Sequence, residues 1–333
     1  MPRMDDITLY HGDALALLPI LPAASVHLLL VDPPYGNVKA EAWDRQWPTQ
    51  DAYLAWLRTC AKAWRRILTP NGSLYCFASP QMGAHVEVML GEVFHVLTRI
   101  QWLKTDGWHN KADPTGLNTY LSPREEIIFA EQQSQNPMHE RACNGLYADT
   151  FESIRAYLDS ERQRAHISFE EVRQIVGCAP GSGLPSHWFT KSQWVLPTRE
   201  QYAKLQQGFN LRHGSPDVLR REYEDLRQEY EDLRQEYENL RRPFTVTKDV
   251  PYTDVWTFST VPAAPGKHPC EKPLPLLRHI IQASSRPGDT VLDPFTGSGT
   301  TGAVAVRHQR SFVGCELNPD YIALARQRIG AVS

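Results

Sequence analysis

The apolar run Val26-His27-Leu28-Leu29-Leu30-Val31 ends abruptly at Asp32-Pro33-Pro34-Tyr35-Gly36, and no other stretch constrains the fold as much. The run is too short to span a membrane. Its composition suits a strand covered on both faces, as in a parallel sheet. Neither proline has an N–H to offer a neighbouring strand, so ladder pairing stops there. A carboxylate, a stiff bend and an aromatic ring are thereby held at the carboxyl end of a central strand. Open α/β sheets bind their ligands at that edge.

The chemistry such a cluster suits is specific. An exocyclic amine on a nucleobase is a poor nucleophile, because its lone pair is delocalised into the ring. Asp32 and the Pro33 carbonyl are two acceptors for such an NH₂ group. Accepting from it favours a pyramidal nitrogen with its lone pair aimed at an electrophile. The Tyr35 ring suits stacking on a base face, worth about 1–3 kcal/mol in single-strand binders. The rigid Pro33–Pro34 bend fixes the attack geometry before the electrophile arrives. Read as structure alone, the same residues are a strand-end turn with a packed tyrosine, and a tetrapeptide does not choose between the two.

Around this stretch the pattern alternates. Ile7-Thr8-Leu9-Tyr10 reads as a short strand ending at Gly12-Asp13. Thr49 to Leu68 carries Tyr53, Leu57, Cys60, Trp64 and Leu68 at helical spacing. Pro70-Asn71-Gly72 predicts a turn into a strand over Ser73–Phe77. A helix over Gln81–Leu90 and strands over Phe94–Leu103 and Glu126–Ala130 follow. Strand, helix, strand, helix, strand predicts a parallel sheet with helices on its faces.

From about Gly107 the pattern changes to a polar, aromatic loop, and beyond residue 132 to short helices. Ser168-Phe169-Glu170-Glu171 and Thr198-Arg199-Glu200-Gln201 are capping-box starts. Between them, Ser186 to Trp194 predicts a helix with polar and aromatic side chains. A helix, a turn and such a second helix resemble a nucleic-acid reader. A small helical subdomain with tryptophans in its own core fits equally. Arg155, Arg162, Arg164, Arg173, Lys191, Arg199 and Lys204 are candidates for phosphate contact, or solvated helix faces.

One repeat stands out. Glu222-Tyr223-Glu224-Asp225-Leu226-Arg227-Gln228 recurs as Glu229–Gln235 and, nearly, as Glu236–Arg242. Tyr223, Leu226, Tyr230, Leu233, Tyr237 and Leu240 then form a heptad seam, with tyrosine at a and leucine at d. Glutamates at g and arginines at e suit a parallel homodimer. A helix resting the same stripe on its own domain is the other reading.

The sheet pattern returns late. Leu274–Ser284 reads as a helix, Thr290–Asp293 as a strand, and Pro294 to Gly302 as a glycine-rich loop opening a helix. Ser311–Glu316 is the next strand, and Asn318 with Pro319 starts a final helix through Ile329. Gly297 and Gly299 let a ligand approach the backbone and let the turn take positive φ. There is no Gly-Lys-Ser/Thr ending, which argues against a phosphate loop. Glu316 ends a strand about 20 residues after the glycines, where an acid can accept from two ribose hydroxyls. Asp13 is placed to accept from an adenine amino group, or is a strand-end turn residue. A sulfonium cofactor would gain from the π-face of Phe295 and from nearby carboxylates.

Composition sets limits. Over 333 residues the net charge is −3, so a nucleic-acid partner needs a local basic face. The six cysteines are scattered with no Cys-x-x-Cys pair, which argues against a zinc site and a disulfide framework. Met1–Asp6 carries no apolar signal segment, and no stretch approaches ~20 apolar residues. The expectation is a soluble cytoplasmic protein with no membrane contact.

Three stretches together resemble the amino-group DNA methyltransferases of the permuted β class. Asp32-Pro33-Pro34-Tyr35 looks like the catalytic motif, and Asp293-Pro294-Phe295-Thr296-Gly297-Ser298-Gly299 looks like the S-adenosylmethionine loop. His268-Pro269-Cys270-Glu271-Lys272-Pro273 is similar to the His-Pro-x-x-Lys-Pro signature before that loop. The match covers roughly residues 7–131 and 252–330, and its joint spacing is far more specific than any one motif. The resemblance implies an α/β, Rossmann-like, seven-stranded methyltransferase sheet, circularly permuted. Residues 1–131 would form its catalytic half and 251–333 its cofactor half. Residues 132–250 would be a mainly helical target-recognition insert with a heptad arm over 219–242. By the same resemblance Asp13, His268, Lys272, Asp293, Phe295, Gly297, Gly299, Thr300 and Glu316 would surround S-adenosylmethionine. Asp32, Pro33, Pro34 and Tyr35 would hold a base flipped from double-stranded DNA. Asp-Pro-Pro-Tyr is commoner among the adenine-N6 enzymes and Ser-Pro-Pro-Tyr among the cytosine-N4 ones, while both amines need the same acceptors. The tandem heptads depart from the family's shorter inserts.

Overall fold

The computed structural model describes residues 7–36, 44–105, 113–132, 149–179, 182–248, 250–262 and 270–332. The chain divides into two compact units. One is 1–134 with 242–333, and the other is 135–241.

The first unit begins with β1 (Ile7–His11) and the single-turn α1 (Ala14–Leu17). β2 (Val26–Val31) is buried at every position but His27, as its unbroken apolar run requires. α2 (Gln50–Ile67) starts where the Thr49 hydroxyl accepts from the Ala52 N–H at 3.1 Å. It buries Tyr53, Leu57, Cys60 and Trp64, the stripe its spacing predicts. β3 (Leu68–Ala78), α3 (Gly83–Gly91), β4 (Phe94–Leu103) and β5 (Arg124–Gln132) complete this half. Pro70-Asn71-Gly72 does not end a turn before β3 but lies inside it. Val26 pairs with Leu68 and Leu28 with Ser73, so β3 spends its surplus residues in a bulge.

The second unit holds α4 (Glu152–Arg164), α5 (Phe169–Val176), α6 (Arg199–His213) and α7 (Tyr223–Leu240). Both expected capping boxes are present, at Ser168 and Thr198. The helix expected over Ser186–Trp194 is instead a 3₁₀ stretch, Leu184–Trp188, followed by bends. Trp188, Phe189 and Trp194 are buried with Phe151, Leu158, Leu205 and Phe209. The Trp194 indole donates to the Trp188 carbonyl at 3.1 Å. These tryptophans are therefore core, and the reader-helix expectation fails at them.

The heptad seam is used inside the same unit. Leu226 is fully buried, and Tyr230 stacks on Phe151 at 5.0 Å and reaches Trp194 at 6.0 Å. Tyr223 meets Tyr202 at 5.8 Å, and Leu233 packs on the same core. Leu240, at the end of the seam, is 51% exposed. The arm thus rests its apolar stripe on its own unit.

The chain then returns to the first unit with β6 (Val255–Thr257), α8 (Leu274–Ser284), β7 (Thr290–Asp293), α9 (Thr300–Arg307), β8 (Ser311–Glu316) and α10 (Pro319–Gly330). Among the described residues the sheet has eight strands in the order β1-β8-β7-β2-β3-β5-β4-β6. β1, β8, β7, β2 and β3 are mutually parallel. β5 is antiparallel to both β3 and β4, so the sheet is mixed where the alternation predicted it parallel. β5 is the next strand after β4 and pairs with it directly, in the antiparallel direction. The eighth strand, β6, adds three residues to the β4 edge, too few for any period to be visible in the sequence. The result is an α/β, Rossmann-like sheet with helices on its faces.

Replacing Trp194 by alanine removes a buried ring from the second unit and is expected to cost about 3–5 kcal/mol. Chemical denaturation checks this, and an unchanged midpoint would put Trp194 outside the core.

Candidate active site

The connections of the sheet diverge at one place. β2 continues through α2 to β3 on one side, and β7 continues through α9 to β8 on the other. β2 and β7 are neighbours, with Leu28 opposite Val291 and Leu29 opposite Leu292. Outward chain paths leave a crevice at the carboxyl ends of two such strands. Asp32 follows one of those ends and Asp293 closes the other. The two motifs of the sequence therefore share one edge of one sheet.

Asp32 is engaged on both oxygens. The Tyr35 hydroxyl donates to Oδ1 at 3.0 Å, and Lys272 Nζ donates to Oδ2 at 2.6 Å. Tyr35 Oη also reaches Glu125 Oε2 at 2.9 Å, so its single proton is shared between two carboxylates. Lys272 lies 3.4 Å from Glu125 and 3.3 Å from the Tyr35 hydroxyl. Its ammonium sits over two ring faces, 4.9 Å from Phe77 and 5.5 Å from Tyr35. Lys104 completes the set at 2.5 Å from Glu125 Oε1.

Burial raises the pKa of Asp32, and Glu125 adds to that while the Lys272 charge opposes it. Burial acts on Glu125 in the same direction, but Lys272 and Lys104 outweigh it and hold Glu125 at about 2. Burial would depress Lys272, and Asp32 with Glu125 more than reverse this, so it stays charged. Burial and the two carboxylates push Tyr35 up, so it stays a neutral donor.

The tetrapeptide backbone is held by Asp44, which is fully buried. Its Oδ1 accepts from the Tyr35 N–H at 2.6 Å and the Gly36 N–H at 2.9 Å. Gly36 has φ +69°, a conformation that favours glycine. Pro33 is buried and Pro34 half-buried between these anchors.

On the β7 side, Asp293 is buried, and its Oδ1 accepts from the Phe295 N–H at 3.0 Å. Burial raises its pKa to about 7, with Asp32 and Glu316 adding to the rise against hydrogen bonds from Thr301 and Phe295. The glycine loop closes on Glu316, whose Oε2 accepts from the Gly297 N–H and Oε1 from the Asn318 N–H, both at 2.8 Å. Gly299 has φ +80°, and a β-carbon there would meet the Ala325 backbone of α10 at 2.7 Å. Phe295 is half-buried with its ring 5.8 Å from Trp56, which in turn lies 4.6 Å from Trp47.

The remaining expected residues divide. Asp13 is exposed and caps α1 by accepting from the Leu15 N–H at 2.8 Å, which is the strand-end role. Thr300 is buried and receives Arg328 Nη1 at 2.5 Å. Arg328 also reaches Ser298 and Glu271, both at 2.9 Å, tying α10 to the glycine loop. His268 lies outside the described residues. Lys272 stands with the Asp32 group rather than with the glycine loop. The sequence reading missed Glu125, Lys104, Asp44 and Arg328. Glu125 carried no distinguishing signal, since it is one of three consecutive charges, Arg124, Glu125 and Glu126, that open strand β5.

The fold and this edge define an α/β methyltransferase-like sheet with a paired motif site. The chain matches the DNA methylase family of N6/N4 type over residues 26–327, and it belongs to that family. It is 28% identical to the DNA adenine methyltransferase YhdJ of Escherichia coli, covering 98% of this chain and 83% of that protein. A type II methyltransferase, M2.DpnII of Streptococcus pneumoniae, is 51% identical over 81 residues, 23% of this chain and 30% of that one. In fold the chain is similar to the M1.HpyAVI–SAM complex, at TM-score 0.52 and 19% identity, covering 97% of this chain and 98% of that one. It is also similar to the cytosine-N4-specific PvuII DNA methyltransferase, at TM-score 0.53 and 16% identity, covering 97% and 88%. Among the described residues, no helix is long and apolar enough to cross a membrane.

The depressed Glu125 gives a signed expectation. Its contribution to stability is present above its unfolded value of 4.5 and is lost as pH falls towards about 2. The stability gap between the wild type and Glu125→Gln should therefore narrow as pH falls through that window. Urea titrations across it give the test, and a gap that widens towards acid pH would contradict the assignment.

Proposed function

We propose that this chain methylates the N6 amino group of adenine in duplex DNA, with S-adenosylmethionine as methyl donor and the target base flipped out of the helix. The observation that carries this reading is that Asp32 and Asp293 end adjacent parallel strands at the switch point of one sheet. The residues present fit the cofactor. Each Glu316 oxygen spends one lone pair on a backbone N–H and keeps another for a ribose hydroxyl. Phe295 offers a half-buried ring face and Asp293 a buried acceptor beside it. When bound, S-adenosylmethionine supplies an electrophilic methyl on a sulfonium.

Asp32 and the Pro33 carbonyl would accept from the target NH₂ and turn its lone pair out of conjugation. Tyr35 would stack on the flipped base, and Asp44 would keep the tetrapeptide from yielding as the base seats. Asp32, with its raised pKa, suits the proton that the amine sheds once it has gained the methyl.

The tetrapeptide and the similarity to an adenine methyltransferase favour adenine over cytosine. Residues 132–250 are proposed to read the DNA sequence, in the cytoplasm where the substrate lies. A homodimer through the heptad segment would need the outward face of α7, because the seam is seated on its own unit. Sedimentation showing only the monomer mass at micromolar concentration would remove the dimer.

Tritiated methyl transfer to mixed-sequence DNA should fall by about 10²–10³ or more in Asp32→Ala, the scale of losing a key polar contact in a transition state. Equal labelling of the wild type and this variant would remove the catalytic assignment. Nucleoside digestion and mass analysis should give N6-methyladenine, and N4-methylcytosine would overturn the adenine reading.

A further inference from the structure

The buried cation at Asp32 is not explained by a role in cofactor binding. Lys272 Nζ is a nitrogen donor 2.6 Å from the carboxylate oxygen that the target amine needs. It lies over the ring faces of Tyr35 and Phe77. It therefore takes one acceptor proposed for a base-borne NH₂ and the ring face proposed for the base itself. While this ammonium holds one lone pair of Asp32 Oδ2 and covers the Tyr35 ring, an entering base would have to compete with it for both. Yet the cation cannot go far, because Asp32 and Glu125 would then face each other across one tyrosine proton in a buried site.

We infer that Lys272 is a placeholder for the target amine, and that Glu125 is the second seat to which it moves when the base enters. This rests on the amino-methyltransferase reading above. Glu125 Oε2 is already 3.4 Å from Nζ, so the transfer is a swing of a side-chain end, not a change of fold. Lys104 already occupies the other Glu125 oxygen at 2.5 Å, so one carboxylate would serve two ammonium groups while the base is bound. The charge of the site is unchanged by the swing, and Asp32 is exposed as an acceptor only when a donor arrives to replace the lysine. Lys272 and Glu125 are positioning residues here, acting through Asp32.

The inference predicts opposite signs for two steps. Lys272→Met removes the competitor, so the base should seat as easily as in the wild type or more so, while turnover falls because Asp32 loses its counter-charge. Glu125→Gln removes the second seat, so Lys272 stays on Asp32, and both seating and turnover fall. The site is first found by sequencing methylated DNA from cells expressing the protein. A duplex with 2-aminopurine at the target position then reports base extrusion by fluorescence without cofactor, and single-turnover methylation of the unmodified duplex reports chemistry.

The expected results are an undiminished fluorescence rise in Lys272→Met with turnover reduced at least about tenfold, and both signals reduced in Glu125→Gln. A Glu125→Gln variant that extrudes the base and turns over like the wild type would overturn the proposal, as would a Lys272→Met variant that turns over normally. If either variant fails to fold, a crystal structure of the wild type with the same duplex decides. Lys272 Nζ bonded to Glu125 with Asp32 facing the base supports the swing, and Lys272 still on Asp32 ends it. A wild type that methylates no DNA would instead refute the amino-methyltransferase reading, so the two failures are distinct.

Discussion

Lys272 is buried, and Asp32, Glu125 and Lys104 are partly withdrawn from water around it, each with an opposite charge within reach. Stripping one such ion of water costs several kcal/mol even after relaxation, and an unpaired partner left behind is worse. The distances, 2.6 Å, 3.4 Å and 2.5 Å in order along the set, make an open chain of alternating sign. The groups come from the end of β2, the start of β5, the segment after β4 and the segment before α8. Lys272 and Asp32 are 240 residues apart in the chain. The cluster therefore demands that the late segment return to the early sheet, which the β2–β7 pairing accomplishes.

The second fastening joins charged side chains to backbone and hydroxyl groups of the glycine loop. Glu316 binds the glycine loop through backbone N–H groups, and Gly299 lets α10 pass at a distance that no side chain would tolerate. Arg328 then ties α10 back to Ser298, Thr300 and Glu271. Glu271 and Lys272 are consecutive, so one short stretch is anchored to the glycine loop on one side and to Asp32 on the other. A displacement of either motif would be felt at the other through this stretch. The geometry of the crevice is thus set by several strong local bonds, not by the general packing of the sheet.

Much of this was legible in the sequence because its cause is local. β2 and β7 are apolar runs bounded by residues that cannot continue a ladder, and both capping boxes announce their helices within four positions. What was not legible depends on distant partners. The direction of β5 follows from its neighbours, since its own composition suits a parallel or an antiparallel strand equally. Glu125 and Lys104 are ordinary charges until the fold sets them, partly covered, beside Lys272. Trp188 and Trp194 suggested a reading surface because an aromatic side chain looks the same in a core and on a face. The tyrosine seam of α7 carried the same ambiguity, settled by Phe151 and Trp194 lying beneath it.

The basic side chains of the second unit bear on how a protein of net charge −3 meets a polyanion. Arg155 and Arg162 each bind a carboxylate and a backbone carbonyl, on Phe189 and Ile167, and are largely covered. Withdrawing them would leave buried carbonyls without donors, so they are part of the unit's own framework. Arg199 with Glu224, Arg212 with Glu171, and Lys204 with Glu200 are different, being exposed pairs on helix surfaces. Such pairs are worth only about 0–1 kcal/mol, so a phosphate can compete for the cation at little cost. A surface of such pairs would bind a polyanion the more weakly the higher the salt. Sequence-independent attraction would then be modest, and discrimination would rest more heavily on the step in which a base replaces the ammonium at Asp32.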